Sequence, residues 1–137
     1  MRSIVLVWCL LAATGCDEQN STGPTGPTVP INQQFTLAPG EAAAIDRTAV
    51  RVQFIRVMGD SRCPADALCI WVGDATVHVR VFEGVKTSDY DLHTANSEQS
   101  TIEHGGMRIS LVQLQPYPFS HRTIQPSDYR ATLDVRR

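Results

Sequence analysis

The residue types best suited to chemistry crowd into one run, Asp60-Ser61-Arg62-Cys63-Pro64-Ala65-Asp66-Ala67-Leu68-Cys69-Ile70-Trp71-Val72-Gly73-Asp74-Ala75. Cys63 and Cys69 are separated by five residues, and no histidine lies in the run. Zinc sites built on cysteine pairs use two to four intervening residues, so metal ligation is the weaker reading. In an oxidising compartment the two cysteines are expected to pair. A closed loop of about seven residues then contributes roughly 2–2.5 kcal/mol on a chain-entropy model. If the segment is extended, Cys69, Trp71 and Gly73 share a side, and Trp71 is expected to cover the disulfide. Gly73-Asp74 reads as a bulge, and Arg62 as a partner for Asp66 or Asp74. The functional alternative makes the run an exposed, stapled contact loop, with Asp60, Arg62, Trp71 and Asp74 as candidate binding residues.

Elsewhere the chemistry is sparse. The four histidines are His78, His93, His104 and His121, and none lies three or four residues from another. A metal site would need them to converge in the fold; otherwise they are surface or half-buried residues. Asp89 and Asp91 would share a strand face, either as a weak calcium site or as a solvated edge. The chain lacks a nucleophile elbow, an HExxH pair and a phosphate loop. No catalytic residue, no metal ligand and no cofactor is therefore assigned, and the chain reads as a non-enzyme. Pro116-Tyr117-Pro118-Phe119 is a stiff apolar stretch, either a plug over one end of the domain or part of a recognition patch with Trp71.

The N-terminus supplies a different kind of signal. Arg2 precedes an apolar run of ten residues, IVLVWCLLAA. That is too short to span a bilayer, which takes about 20 residues, but it fits the core of a signal peptide. Ala13-Thr14-Gly15-Cys16 then resembles the lipobox of bacterial lipoproteins, with Ala13 where leucine is commoner. The resemblance implies cleavage before Cys16, a diacylglycerol thioether on its sulfur, and in many bacteria a further palmitate-like chain on its amine. The alternative is an ordinary secretory signal that leaves Cys16 as a free thiol. Cysteine arithmetic favours lipidation: Cys9 departs with residues 1–15, and Cys63 and Cys69 account for each other. Asp17 resembles the inner-membrane retention signal of enterobacteria, a rule that does not carry over to other bacteria. The expected location is the cell envelope, on the extracytoplasmic side.

After Cys16, residues 17–30 read DEQNSTGPTGPTVP, a composition that cannot bury enough surface to offset ordering and so reads as a solvated tether. Fourteen residues reach at most about 45–50 Å, far enough to hold a domain clear of the headgroups. From Ile31 to the end the hydrophobic period is two. Strands are expected at residues 35–37, 41–46, 50–58, 75–82, 88–94, 101–103, 107–114 and 129–136. Gly105-Gly106 marks a hairpin turn, and one helical turn is expected near residues 64–68. Residues 50–58 are apolar on both sides beyond Phe54, which predicts a central strand. The expectation is a single all-β domain over residues 31–137, an antiparallel β-sandwich or small barrel of about seven or eight strands.

Charge adds little. The chain carries 12 basic and 14 acidic residues, net −2, and loss of Arg2 with the signal peptide makes it −3. No basic stripe points to nucleic acid. Finally, D-S-R-C-P-x₄-C-x-W-x-G-D-A, with L-x-P-Y-P at residues 114–118 and D-Y-R-A-T-L-x-V at 128–135, resembles an uncharacterised group of small bacterial lipoproteins. The likeness spans most of residues 35–135 and implies a shared fold without catalytic residues. The function expected first is a membrane-anchored binding module, held to the bilayer through Cys16 and meeting an envelope protein, glycan or small ligand through its loops. A protease inhibitor using Gly105-Gly106 and residues 116–119, and a metal-handling lipoprotein using the histidines, are the alternatives.

Overall fold

The structure is a computed structural model that describes residues 24–137. The lipobox-like residues 13–16, with the expected lipidation at Cys16, lie outside the described residues. Among the described residues nine strands form two sheets, eight of them on the period-two segments and one on residues 28–29 of the expected tether. They are β1 (Thr28–Val29), β2 (Gln34–Leu37), β3 (Ala42–Ile45), β4 (Val50–Asp60), β5 (Ala75–Glu83), β6 (Lys86–His93), β7 (Thr101–His104), β8 (Met107–Gln115) and β9 (Arg130–Arg136). One sheet has the order β1-β3-β4-β5-β6 and the other β2-β9-β8-β7. The fold is all-β and sandwich-like, with two open sheets rather than a closed barrel. Among the described residues no helix is long and apolar enough to cross a membrane.

Alternation decides which side chains face the middle. On β5, Ala75, Val77, Val79 and Val81 are wholly buried, whereas Thr76, His78 and Arg80 between them are not. On the facing sheet Ile109, Ala131, Leu133 and Val135 complete the same core. Burying one such aliphatic side chain contributes about 1.5–3 kcal/mol. β4 is central, between β3 and β5, as its two-sided apolarity predicts. The cause of that apolarity is a bulge. The register with β5 shifts between Phe54 and Arg56, so Val57 returns to the inner side, opposite Val77, and packs against the core. Gly105 and Gly106 both have positive φ, 57° and 72°, which suits the tight β7–β8 turn.

The tether is shorter than its composition implies. Thr28 and Val29 pair in parallel with Ala44 and Ile45 of β3, so the chain enters the sheet before Pro30. Both backbone contact and apolar burial do this, for Val29 and Ile31 pack against the core. Ala44 N–H donates to the Pro27 carbonyl at 2.9 Å, and a Cβ on Gly26 would lie 1.8 Å from the Ala42 carbonyl oxygen. Only glycine permits that approach. At the other edge, Tyr90 on β6 and His104 on β7 join the two sheets through a 2.8 Å contact between the phenol oxygen and Nδ1.

Candidate functional site

The run from Asp60 to Ala75 is the connection between β4 and β5, and its first part prolongs their pairing. Ser61 N–H donates to the Asp74 carbonyl at 2.7 Å, and Cys63 N–H to the Val72 carbonyl at 3.0 Å. Gly73 has φ +71° and lies so close to Ser61 that a Cβ would be 1.9 Å from its carbonyl oxygen. The expected bulge at Gly73-Asp74 is thus a left-handed residue in close backbone contact. Beyond it, Cys63 and Cys69 are joined by a disulfide with Cα atoms 5.9 Å apart. The expected helical turn at 64–68 is a single turn closed by Ala67 N–H to the Pro64 carbonyl.

Arg62 fastens this loop to the opposite sheet. Asp60 and Arg62 are two residues apart in extended backbone, so their side chains project the same way. Arg62 Nε and Nη2 donate to the two carboxylate oxygens of Asp60 at 2.8 and 2.7 Å. Its Nη1 donates to the Leu114 carbonyl at 2.7 Å and Nη2 also to the Pro116 carbonyl at 2.9 Å. Tyr129 Oη donates to Asp60 at 3.1 Å, and the Tyr117 ring lies 5.2 Å from the guanidinium carbon. Arg62 is 7% exposed. Its partner is therefore Asp60 rather than Asp66 or Asp74, and it is a bolt between sheets rather than a group offered to a ligand.

Asp66 and Asp74 are also turned to structural use. Asp66 accepts from Ser120 N–H and Oγ–H at 2.8 and 2.6 Å, and Ala65 N–H donates to the Pro118 carbonyl. Asp74 accepts from the backbone N–H groups of Thr94 and Ala95, both at 2.9 Å, and its other oxygen contacts His93 Nδ1. Of the four candidate binding residues, Asp60, Arg62 and Asp74 face inward to these contacts. Trp71 faces out. It is 81% exposed, next to Leu68 at 105%, Ile70 at 93% and Val72 at 76%. The expectation that Trp71 covers the disulfide fails because the disulfide sits in the exposed loop, away from the core. Arg62, with Tyr117 beside it, occupies the end of the sandwich instead. The loop thus carries a crest of four apolar side chains in water. Residues 116–119 adjoin the same loop: the Tyr117 ring lies over Arg62 and the Pro118 carbonyl accepts from Ala65 N–H, while Tyr117 and Phe119 are each 42% exposed. A cleft of about 240 Å³ opens beside the crest, lined by Arg62, Val72, Thr94, Leu111, Gln113 and Tyr117.

The remaining polar residues do not gather. His78 contacts Asp91 at 2.6 Å, His93 contacts Asp74, His121 lies 3.3 Å from Asp66, and His104 Nε2 lies 3.4 Å from Glu83. Four histidines therefore sit with four different carboxylates. Among the described residues no three His, Cys, Asp or Glu side chains group as a metal site would require. Asp89 and Asp91 do share the outer face of β6, where Arg80 and His78 on β5 engage them. Gly105-Gly106 and residues 116–119 lie at opposite ends of β8.

The electrostatics follow from these bonds. Burial opposes ionisation of Asp60, but hydrogen bonds and charge from Arg62 hold its carboxyl below the usual carboxylate range. Burial likewise opposes ionisation of Asp74, and the His93, Ala95 and Thr94 bonds outweigh it. Ser120 brings Asp66 down to about 2. Burial first, and the Asp60 carboxylate second, push the Tyr129 phenol up to about 12. Groups whose folded pKa is depressed stabilise the fold above their unfolded value and lose that contribution as pH falls through the folded value. Thermal melting is therefore expected to fall as pH drops between the ordinary Asp value of 3.8 and about 2. A Tm that rises over that acid interval would contradict these carboxylate assignments.

Comparison of the chain with protein-family models, with curated proteins and with solved structures finds no match.

Proposed function

We propose that the mature chain is a lipid-anchored, non-catalytic binding module of the bacterial cell envelope, which uses the disulfide-braced crest as its contact surface. The observation that carries this reading is the crest itself. Leu68, Ile70, Trp71 and Val72 are each more than three-quarters exposed. They stand on a loop held by a disulfide, by the Arg62 bonds and by the Asp66–Ser120 contact. A soluble protein gains nothing in stability from such a surface, and contiguous exposed apolar groups mark interaction sites. Rigid presentation lowers the entropy lost on binding. The lipobox-like Ala13-Thr14-Gly15-Cys16 supports the anchor, and two or three acyl chains hold where one binds only marginally.

The test compares wild type with Trp71→Ala. Because Trp71 lies in solvent, its removal is expected to change stability by no more than about 0.5 kcal/mol. A hot-spot tryptophan at a contact surface contributes about 2 kcal/mol or more, so any partner captured from envelope extract by wild type should be lost or weakened roughly 30-fold or more in the variant. Equal capture by both proteins would remove the crest as the contact surface.

A further inference from the structure

We infer that the crest docks into the outer layer of the same bilayer that holds Cys16. This deepens the proposed function by naming what the contact surface meets, and it rests on acylation of Cys16. The argument begins with chain direction. β1 runs parallel to β3 and so antiparallel to β4, and β4 leads into the crest loop. The chain preceding β1 therefore arrives from the crest end of the sandwich. Gly26 lies against Ala42, which is opposite Gln53, and Gln53 is opposite Arg80.

Distances along the sheet complete the case. From the Gln53–Arg80 pair to the Asp60–Ala75 pair, β5 advances five residues, roughly 17 Å. The continued pairing through Ser61–Asp74 and Cys63–Val72 adds three more residues, about 10 Å. The crest thus stands about 27 Å beyond Gly26. Cys16 is ten residues before Gly26, a chain length that spans at most about 33–36 Å. The acylated residue can reach the level of the crest and little further. A tether of this length, entering from this end, brings the apolar tip to the bilayer surface.

The chemistry of the tip fits that surface. Tryptophan favours the membrane–water interface, and Leu68, Ile70 and Val72 supply apolar area beside it. Residues 63–72 contain no lysine or arginine, and their one acid, Asp66, is engaged by Ser120. Docking is therefore expected to depend on apolar burial and to be insensitive to salt and to anionic lipid, unlike a polybasic contact.

Trp8 leaves with the signal peptide, so Trp71 is the sole tryptophan of the mature chain and reports its own surroundings. The experiment uses the mature protein purified from membranes, shown by mass spectrometry to be acylated, and placed in phosphatidylcholine–phosphatidylethanolamine vesicles with and without brominated acyl chains. Trp71 emission is expected to shift to the blue and to be quenched by bromine, at low and high salt alike. Leu68→Ser/Ile70→Ser, which keeps Trp71 but removes its apolar neighbours, is expected to return the emission toward that of a water-exposed indole and to lose the quenching. Emission that stays red and unquenched in an acylated, vesicle-bound wild-type protein overturns the inference. Shielding of Trp71 that appears only when envelope proteins are added also overturns it, while leaving the binding-module reading intact. A mature protein without acyl groups on Cys16 removes the premise itself.

Discussion

Arg62→Ala is expected to destabilise the domain by about 3–5 kcal/mol, because it leaves the buried Asp60 carboxylate without its cation. The side chains of Arg62 and Asp60 are 5% and 10% exposed, so water cannot readily replace what is lost. The same change deprives the Leu114 and Pro116 carbonyls of their guanidinium donors. For a domain of about 100 residues the loss corresponds to a fall in Tm of roughly 12–40 °C. Arg62→Lys should recover only part of it, since one ammonium cannot form both bonds of the carboxylate fork while reaching two carbonyls. The double variant Asp60→Ala/Arg62→Ala should cost clearly less than the two single changes added together, because the second change removes the charge that the first left stranded. Urea denaturation of wild type, the three single variants Arg62→Ala, Arg62→Lys and Asp60→Ala, and the double variant checks this. A loss below about 1 kcal/mol for Arg62→Ala would place the pair among ordinary surface ion pairs and contradict its role as the bolt between sheets.

The second large effect is expected at the disulfide. Cys63→Ser/Cys69→Ser should reduce stability by about 2–2.5 kcal/mol, the chain entropy of a loop of about seven residues. That is roughly 8–20 °C in Tm. The consequence should be concentrated in the crest. Asp60 and Arg62 precede the disulfide loop, and the bonds that Arg62 donates to residues 114 and 116 do not pass through it. Amide hydrogen exchange is therefore expected to rise for residues 64–71 while the β4–β5 ladder stays protected. Uniform loss of protection across both sheets would show instead that the disulfide supports the whole sandwich.

How much of this was legible depends on which force built each part. The strands were readable where side-chain burial alternates, as along Val77, Val79 and Val81, because period two follows directly from strand geometry. The pairing of β1 was not, because a two-residue strand with a single core-facing side chain, Val29, is too short to show alternation, and its backbone bonds lie beside Gly26. The sign available was a glycine in a chain otherwise too polar to fold. Within the candidate loop the expected inside and outside are exchanged, with Trp71 exposed and Arg62 buried. Tryptophan is usually buried and arginine usually exposed, so base expectation put Trp71 in and Arg62 out. The bonding possibilities of Arg62 reversed that: a carboxylate two residues earlier on the same side, together with two carbonyls at the end of β8, satisfies a guanidinium completely enough to bury it. The i, i+2 spacing of Asp60 and Arg62 was visible in the chain; the carbonyls of Leu114 and Pro116, more than fifty positions away, were not. Asp66, Tyr117 and Tyr129 were missed as site-building residues for the same reason, since each acts on a partner distant in sequence.

In the proposed function the lipid anchor and the crest are parts of one device, with the anchor setting where the domain stands and the crest setting what it touches. The most direct test is the chemical state of Cys16 in the protein recovered from cell membranes. Proteolysis and mass spectrometry are expected to yield an N-terminal peptide that begins at Cys16 and carries a diacylglycerol thioether, and Cys16→Ala is expected to leave the protein out of the membrane fraction. A mature chain that begins at Cys16 with a free thiol, or that stays in the membrane fraction after Cys16→Ala, would contradict the account.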